Sequence, residues 1–455
     1  MVPTPKAQSL VRSIALSLVA LALVALAVPA ARAQAAAPEP LPADDGLRAA
    51  IVDSVTEALN KGYVFENVAK DIEKHLRSKL RDGDYDGLET IDAVARQLTT
   101  DVQEISNDRH MGVMYVSPER VEAATEEEED DDLARKRRIE ELRKSNFAFQ
   151  KLEMLDGNVG YLKFNQFVDA PLSGPTATAA MNFLANSDAV IIDLRENGGG
   201  SPSLIQMITA YFLDESTHLN SFYTRDGDSL EQFWSYPYVP GPRMPDADLY
   251  VLTSSYTFSG AEEFSYNLKS LDRATLVGET TGGGAHPVRG ELFPSLNVLV
   301  RVPYARAINP RTGTNWEGTG VEPHVAVPAA QALDTAHMLA LEKMRENLTE
   351  DEDAARLDWA IEGIRAKLNP MELDAATLES YAGQYGPRRL WVENGTLHYQ
   401  RDDGPVRVAL PMADTLFRFD ELGYFRLEVV LDEDGRPSKL VGHYDNGSTD
   451  ESPRS

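Results

Sequence analysis

Three segments of the chain hold residues able to do chemistry. In Thr253-Ser254-Ser255-Tyr256-Thr257-Phe258-Ser259-Gly260-Ala261-Glu262-Glu263-Phe264 an apolar run ends, a turn follows, and Ser259 falls where a helix begins. A serine there can simply cap the helix by accepting a backbone N–H. It can also expose its hydroxyl as a nucleophile, with the Gly260 N–H and the helix N-terminus placed to stabilise an oxyanion. The second segment, Asp193-Leu194-Arg195-Glu196-Asn197-Gly198-Gly199-Gly200, also follows an apolar run. Three glycines allow a sharp turn that presents free N–H groups, which suits an anion or oxyanion. It is not a phosphate loop, since it lacks the lysine of G-x-x-x-x-G-K-[ST] and the spacing of G-x-G-x-x-G. The third segment, Asn315-Trp316-Glu317-Gly318-Thr319-Gly320-Val321-Glu322-Pro323, otherwise reads as a loop.

A serine nucleophile needs a base. Of the eight histidines, His75 and His337 fall within helical patterns, at the surface. His110 closes Asn107-Asp108-Arg109-His110, where the chain changes character, and His286 follows the glycine run Gly282-Gly283-Gly284-Ala285. Spacing leaves both open, because such groups need only meet in space. No H-E-x-x-H occurs and no His/carboxylate set has metal-ligand spacing, so no metal and no cofactor is expected.

Composition narrows the frame. The 455 residues hold 42% hydrophobic and 25% charged positions, 44 Lys+Arg against 72 Asp+Glu, and no cysteine. That excludes disulfides, thiol catalysis and thiolate metal sites. The net charge of −28 argues against nucleic acid as partner, which requires a basic footprint. Lys6 and Arg12, the apolar run Ile14–Val28 and Ala31-Arg32-Ala33 read as a signal peptide over 1–33, so a periplasmic or secreted location is expected. Its removal takes three positive charges from −28, leaving −31. The run of 15 residues is short of the ~20 a spanning helix needs, and no second apolar run is long enough to span a membrane.

The elements that must position these residues follow from periodicity. Helical stripes at Leu47/Ile51/Val55/Leu59, Val68/Ile72/Leu76/Leu80 and Ile91/Val94/Leu98/Val102/Ile105 predict a three-helix domain over 46–116. Residues 117–145 read as a charged linker or arm, with seven consecutive acids at 126–132 followed by four basic residues at 135–138. Residues 146–330 have α/β texture, with strands at Val159–Phe164, Ala189–Leu194, Tyr250–Thr253 and Val298–Val302. A helical connector is expected over 331–370 and a β-rich domain over 371–445, with Asn394-Gly395 as a type I′ hairpin turn. A disordered tail is expected over 446–455.

In this order the segments resemble the C-terminal-processing, or tail-specific, serine peptidases, in the branch of the interphotoreceptor retinoid-binding protein repeats and the tricorn protease core. The similarity spans roughly 46–330: the D-R-H turn, D-L-R-x-N-x-G-G, T-F-S-x-A-E-E-F, V-G-E-x-T-x-G-G-A-H and W-E-G-x-G-V-x-P. The resemblance implies a crotonase-like spiral α/β core and a serine peptidase acting on peptides or unfolded proteins. It makes Ser259 the nucleophile, and Gly260 and Gly199 the oxyanion donors. Asn197, Gly200 and His286 would line the substrate cleft. Lysine-dependent members carry their base where Gly284 stands here, and no lysine lies between Lys269 and Lys343, so a Ser–Lys dyad is excluded. The tricorn-like arrangement instead implies His110 as base, oriented by Glu317. A peptide-binding PDZ module, inserted in tail-specific members, is missing from the position of the arm. Two other readings use the same residues: a binding protein for apolar ligands, and an esterase.

Overall fold

Every residue of the apolar run at 189–193 is buried, so it must lie inside a sheet covered on both faces. The computed structural model describes residues 41–129, 131–346, 348–349 and 352–455; the expected signal peptide lies outside them. From the N-terminal side, helices α1 (Asp45–Gly62), α2 (Glu66–Arg81) and α3 (Ile91–Ser106) lead into strand β1 (Gly112–Tyr115) and helices α4 (Pro118–Glu129) and α5 (Asp131–Lys144). The central region runs β2 (Phe149–Leu155), β3 (Val159–Phe164), α6 (Ala170–Leu184), β4 (Ala189–Asp193), α7 (Pro202–Ala210), β5 (His218–Thr224) and β6 (Ser229–Trp234). It continues with β7 (Asp248–Thr253), α8 (Gly260–Ser270), β8 (Thr275–Gly278), β9 (Val288–Phe293), β10 (Val298–Pro303), β11 (Ala305–Ile308) and β12 (Val325–Ala326). Helices α9 (Ala332–Glu346), α10 (Glu352–Leu368) and α11 (Ala375–Tyr381) follow. The chain then forms β13 (Gly383–Tyr385), β14 (Arg388–Glu393), β15 (Thr396–Arg401), β16 (Arg407–Val408), β17 (Leu410–Pro411), β18 (Leu416–Arg418), β19 (Phe425–Leu431), β20 (Pro437–Tyr444) and β21 (Thr449–Pro453).

The main sheet has six strands in the order β12-β8-β7-β4-β3-β2, parallel except for β2. Alternation along β4 divides its side chains between two cores. Val190 and Ile192 pack with Met181 of α6, Ile208 of α7 and Phe264 of α8. Ala189 and Ile191 pack with Ala336 and Ala340 of α9 and Ile361 of α10. Each buried aliphatic side chain contributes roughly 1.5–3 kcal/mol. The fold is therefore α/β with mixed sheets and helices on both faces of the central one.

Helices α1–α3 bury the expected stripes, save Ile105, which faces solvent. Asp44 and Thr90 cap α1 and α3 through their side-chain oxygens, and Asn107 closes α3 in the left-handed conformation at φ 53°. Their cluster also contains Val113 of β1 and Val298, Val300 and Val302 of β10. Antiparallel pairing of β1 with β10 thus ties the helices to the central region. The stretch read as a charged arm is helical, as α4 and α5.

In the C-terminal sheets, Asn394 and Gly395 both have positive φ (53° and 77°) between β14 and β15, as a type I′ turn requires. The expectation of a disordered tail over 446–455 is wrong: Thr449–Pro453 forms β21 against β20. The cause is charge rather than hydrophobicity. Arg388 is fully buried, and its guanidinium pairs with Asp450 at 2.5 Å and donates to Ser452 at 3.2 Å. Deleting 446–455 strands that cation, which should lower stability by roughly 3–5 kcal/mol. Urea unfolding of the shortened and full chains measures it; an unstructured tail would leave the midpoint unchanged.

Candidate active site

Strands β4, β7 and β8 are neighbours, and the loops leaving their C-terminal ends converge, the usual place for a site in an open parallel sheet. Ser259 sits between β7 and α8 with φ 53° and ψ −120°. A non-glycine residue there stores about 1–3 kcal/mol of strain, which persists only where surroundings fix it. The surroundings do so. Phe258 N–H donates to Asn197 O at 3.1 Å, Thr257 Oγ1 donates to Leu194 O at 2.8 Å, and Ser259 N–H donates to Glu262 Oε2 at 2.8 Å.

The β4 loop lies directly against this turn. A Cβ added to Gly199 (φ +102°) would fall 2.8 Å from Ser259 Cβ and 2.6 Å from Gly260 N. One added to Gly260 would fall 2.9 Å from Gly200 N. Asn197 is buried and holds the loop, donating to Phe164 O and accepting the Gly199 N–H, each at 2.9 Å. The Gly199 N–H, expected as an oxyanion donor, is therefore engaged. Gly260 opens α8, so its N–H has no intrahelical acceptor. Among the described residues the Gly200 N–H likewise makes no hydrogen bond.

Glu262, on the first turn of α8, is buried and accepts four hydrogen bonds: Ser259 N–H, Gly283 N–H at 2.7 Å, Gly284 N–H at 2.9 Å and Thr281 Oγ1 at 2.5 Å. Burial raises its pKa, and these bonds oppose that rise. They draw the 282–284 glycine run against the serine turn. Trp316 anchors the run from the other side, its indole N–H donating to Gly284 O at 2.8 Å.

His110 comes from the connection between α3 and β1. Its ring is 5% exposed and packs on Phe258, with centroids 4.7 Å apart. Its Nδ1 is buried without a hydrogen-bond partner. Burial holds its pKa down to about 4; the Asp108 carboxylate opposes this, and the nearby Arg301 and His286 side chains add to it. At neutral pH the imidazole is uncharged and can accept a proton. Glu317 Oε2 accepts the Ala285 N–H at 2.6 Å and the His286 N–H at 3.2 Å, and Oε1 accepts the Arg109 N–H at 3.4 Å. Burial, and then the Asp108 carboxylate, push its pKa up to about 7.

His286 stands beside this pair. Its Nδ1 donates to Asp108 Oδ2 at 2.6 Å and lies 3.4 Å from Glu317 Oε2. Asp108, fully buried, also accepts the His110 backbone N–H at 3.0 Å and the Tyr63 hydroxyl at 3.4 Å. Asp108 stands two residues before His110, and nothing in the local sequence announces its pairing with a residue far along the chain. Ligand atoms of Asp108, His110 and Glu317 lie within 4.8 Å of one another, as do those of His75, Asp101 and Glu104. Asp101 already takes Lys79, Tyr85 and Gln97, so little of its charge is left for a cation. The first trio is the cluster just described.

Residues 158–327 match peptidase family S41, and residues 47–151 match the N-terminal domain of peptidase S41 in eukaryotic IRBP. Both matches are to peptidase family S41, one to each of these two stretches of the chain. A carboxyl-terminal-processing protease of Picosynechococcus sp. is 33% identical over 141 residues, covering 30% of this chain and 32% of the relative. The match thus spans about a third of that protein's length. Solved structures with similarity include the photosystem II D1 C-terminal processing protease (TM-score 0.38, 14% identity, 62% of this chain and 93% of that one). The tricorn protease is another (TM-score 0.40, 16% identity, 70% and 37%).

The strain at Ser259 is testable by itself. Glycine adopts φ 53° freely and alanine only with strain, so Ser259→Gly should be about 1 kcal/mol more stable than Ser259→Ala in chemical denaturation. Equal stabilities would mean that the turn is not strained.

Proposed function

We propose that the chain is an exported serine peptidase, hydrolysing peptide bonds of peptides or unfolded proteins through an acyl-enzyme. The observation that carries this reading is Ser259 itself, a strained residue at a strand-to-helix turn beside two unengaged backbone N–H groups. His110 is the base: it takes the Ser259 Oγ proton as oxygen attacks the scissile carbonyl, then returns it to the leaving amine. A water repeats the cycle to release the acid. The N–H groups of Gly260 and Gly200 receive the oxyanion, with Gly199 setting the turn and Asn197 holding it.

Glu317 is the orienting acid: one of its carboxylate oxygens lies within 4.8 Å of a His110 ring nitrogen, and hydrogen bonds of this kind are often long in the free enzyme. Position 284 supports the choice of base. A Cβ there would lie 2.6 Å from His110 Cε1, so the imidazole fills the space into which a side chain at 284 would project. His286 instead bridges Asp108 and Glu317, which suits a positioning role. The crotonase-like spiral belongs to the same proposal, supported by the parallel strands and converging loops. Export rests on the character of residues 1–33.

A fluorophosphonate should label wild type at Ser259 and leave Ser259→Ala unlabelled. With a denatured protein as substrate, mass spectrometry should find cleavage only with wild type. No labelling, or equal cleavage by both, overturns the nucleophile; labelling without peptide cleavage favours an esterase.

Catalysis needs His110 neutral and Glu317 ionised. With His110 held near 4 and Glu317 raised to about 7, Glu317 governs the acid side. Its ionised form is present above that value and lost as pH falls through it. The profile of kcat/KM should therefore climb through about pH 7, and Glu317→Gln should remove that limb while lowering the plateau. A limb retained in the variant would assign it elsewhere.

A further inference from the structure

Arg306 lies on β11, paired opposite Tyr223 of β5. Its guanidinium stacks between two rings, 5.1 Å from the Tyr223 centroid and 5.8 Å from that of Phe65. Its Nε is buried with no hydrogen-bond partner, and among the described residues no acid pairs with it. In a chain with 72 acidic residues against 44 basic ones, an arginine held in place and left unneutralised is out of keeping with the rest. An unpaired buried donor costs about 1–3 kcal/mol, and more when charged.

Arg306 lines a cavity of about 350 Å³ whose walls include Phe65, Asn107, Thr314, His286 and Glu317. Two of these belong to the cluster around His110, so the cavity opens beside the reacting groups. Glu317 is already committed to backbone N–H groups of Ala285, His286 and Arg109. The Asn107 amide and the Thr314 hydroxyl make no hydrogen bond to another described residue and add neutral donors. The planar fork of an arginine matches a carboxylate in two parallel hydrogen bonds.

We propose that this cavity is a substrate subsite in which Arg306 binds a carboxylate of the peptide, from an acidic side chain or from the chain terminus. The proposal rests on the peptidase reading, and deepens it with a preference that needs no PDZ module. Arg306 acts on binding and takes no part in proton transfer.

The test uses the full-length Ser259→Ala protein, which binds without turnover, and a peptide in three forms: neutral and C-terminally amidated, with one glutamate, and with a free C-terminus. Fluorescence anisotropy should show the glutamate form or the free-terminus form bound roughly 10–100-fold tighter than the neutral one; which of the two gains identifies the source. Adding Arg306→Gln should erase the difference, and Arg306→Lys should keep part of it, with unchanged near-ultraviolet circular dichroism certifying the fold. Equal binding of all three forms, no binding of any, or a preference surviving in Arg306→Gln overturns the subsite. Cleavage by the Ser259 protein without a carboxylate preference would sink the subsite and leave the peptidase standing. A preference lost with Arg306 in a protein that cuts nothing would do the reverse.

Discussion

A single buried carboxylate, Glu262, holds the site together. Burying an anion is unfavourable unless its oxygens are fully satisfied, and Glu262 is satisfied only where three backbone N–H groups and one hydroxyl converge on it. One comes from Ser259 and the others from the run after β8. The same interaction fixes the positive φ of the serine and sets the approach of Gly284 to His110. The strain of the turn is thus offset locally, in the first turn of the helix that it starts.

The proposed base and orienting acid reach this frame from elsewhere. His110 arrives on the connection between α3 and β1, and its place depends on β1 pairing with β10 and on helices sharing a core with Val298, Val300 and Val302. Arg301, on the same strand β10, donates to His110 O at 2.9 Å. Glu317 comes from the loop between β11 and β12. Each partner is set by a different packing unit, so the site forms only when helices and central sheet are docked. Disturbing that interface would misplace the imidazole without touching the serine, and an error of an ångström or so can cost on the order of 10²-fold in rate.

How much of this the sequence made legible follows the range of each interaction. Strands β3, β4 and β7, the start of α8 and the hairpin at Asn394-Gly395 are written in local pattern, and the structure has them. Ser259 was legible as a helix entry, though its positive φ was not, because it follows from Glu262 meeting a loop about 20 residues on. The engagement of the Gly199 N–H by Asn197 turns on a side-chain rotamer that spacing does not encode. His337, read as a surface residue, is buried, with Nε2 2.9 Å from Asp156 O. The strand at 449–453 escaped notice because its sequence is polar; it is held by a buried arginine more than sixty residues away.

Position 284 shows the physical constraint behind the proposed histidine base. A lysine base works only if its ammonium is kept neutral, which demands strong desolvation close to the nucleophile. Here Gly284 has no side chain, its N–H is spent on Glu262, and its Cα faces His110 Cε1. Any side chain at 284 would collide with the imidazole and with Phe258. Glycine and histidine are therefore a matched pair: the absence of a side chain in one loop is the space that a residue from another part of the chain occupies. With that space filled from the helical side, the proposed orienting acid also comes from outside the serine turn. That is where Glu317 lies, fastened by the backbone of both the 285–286 segment and Arg109.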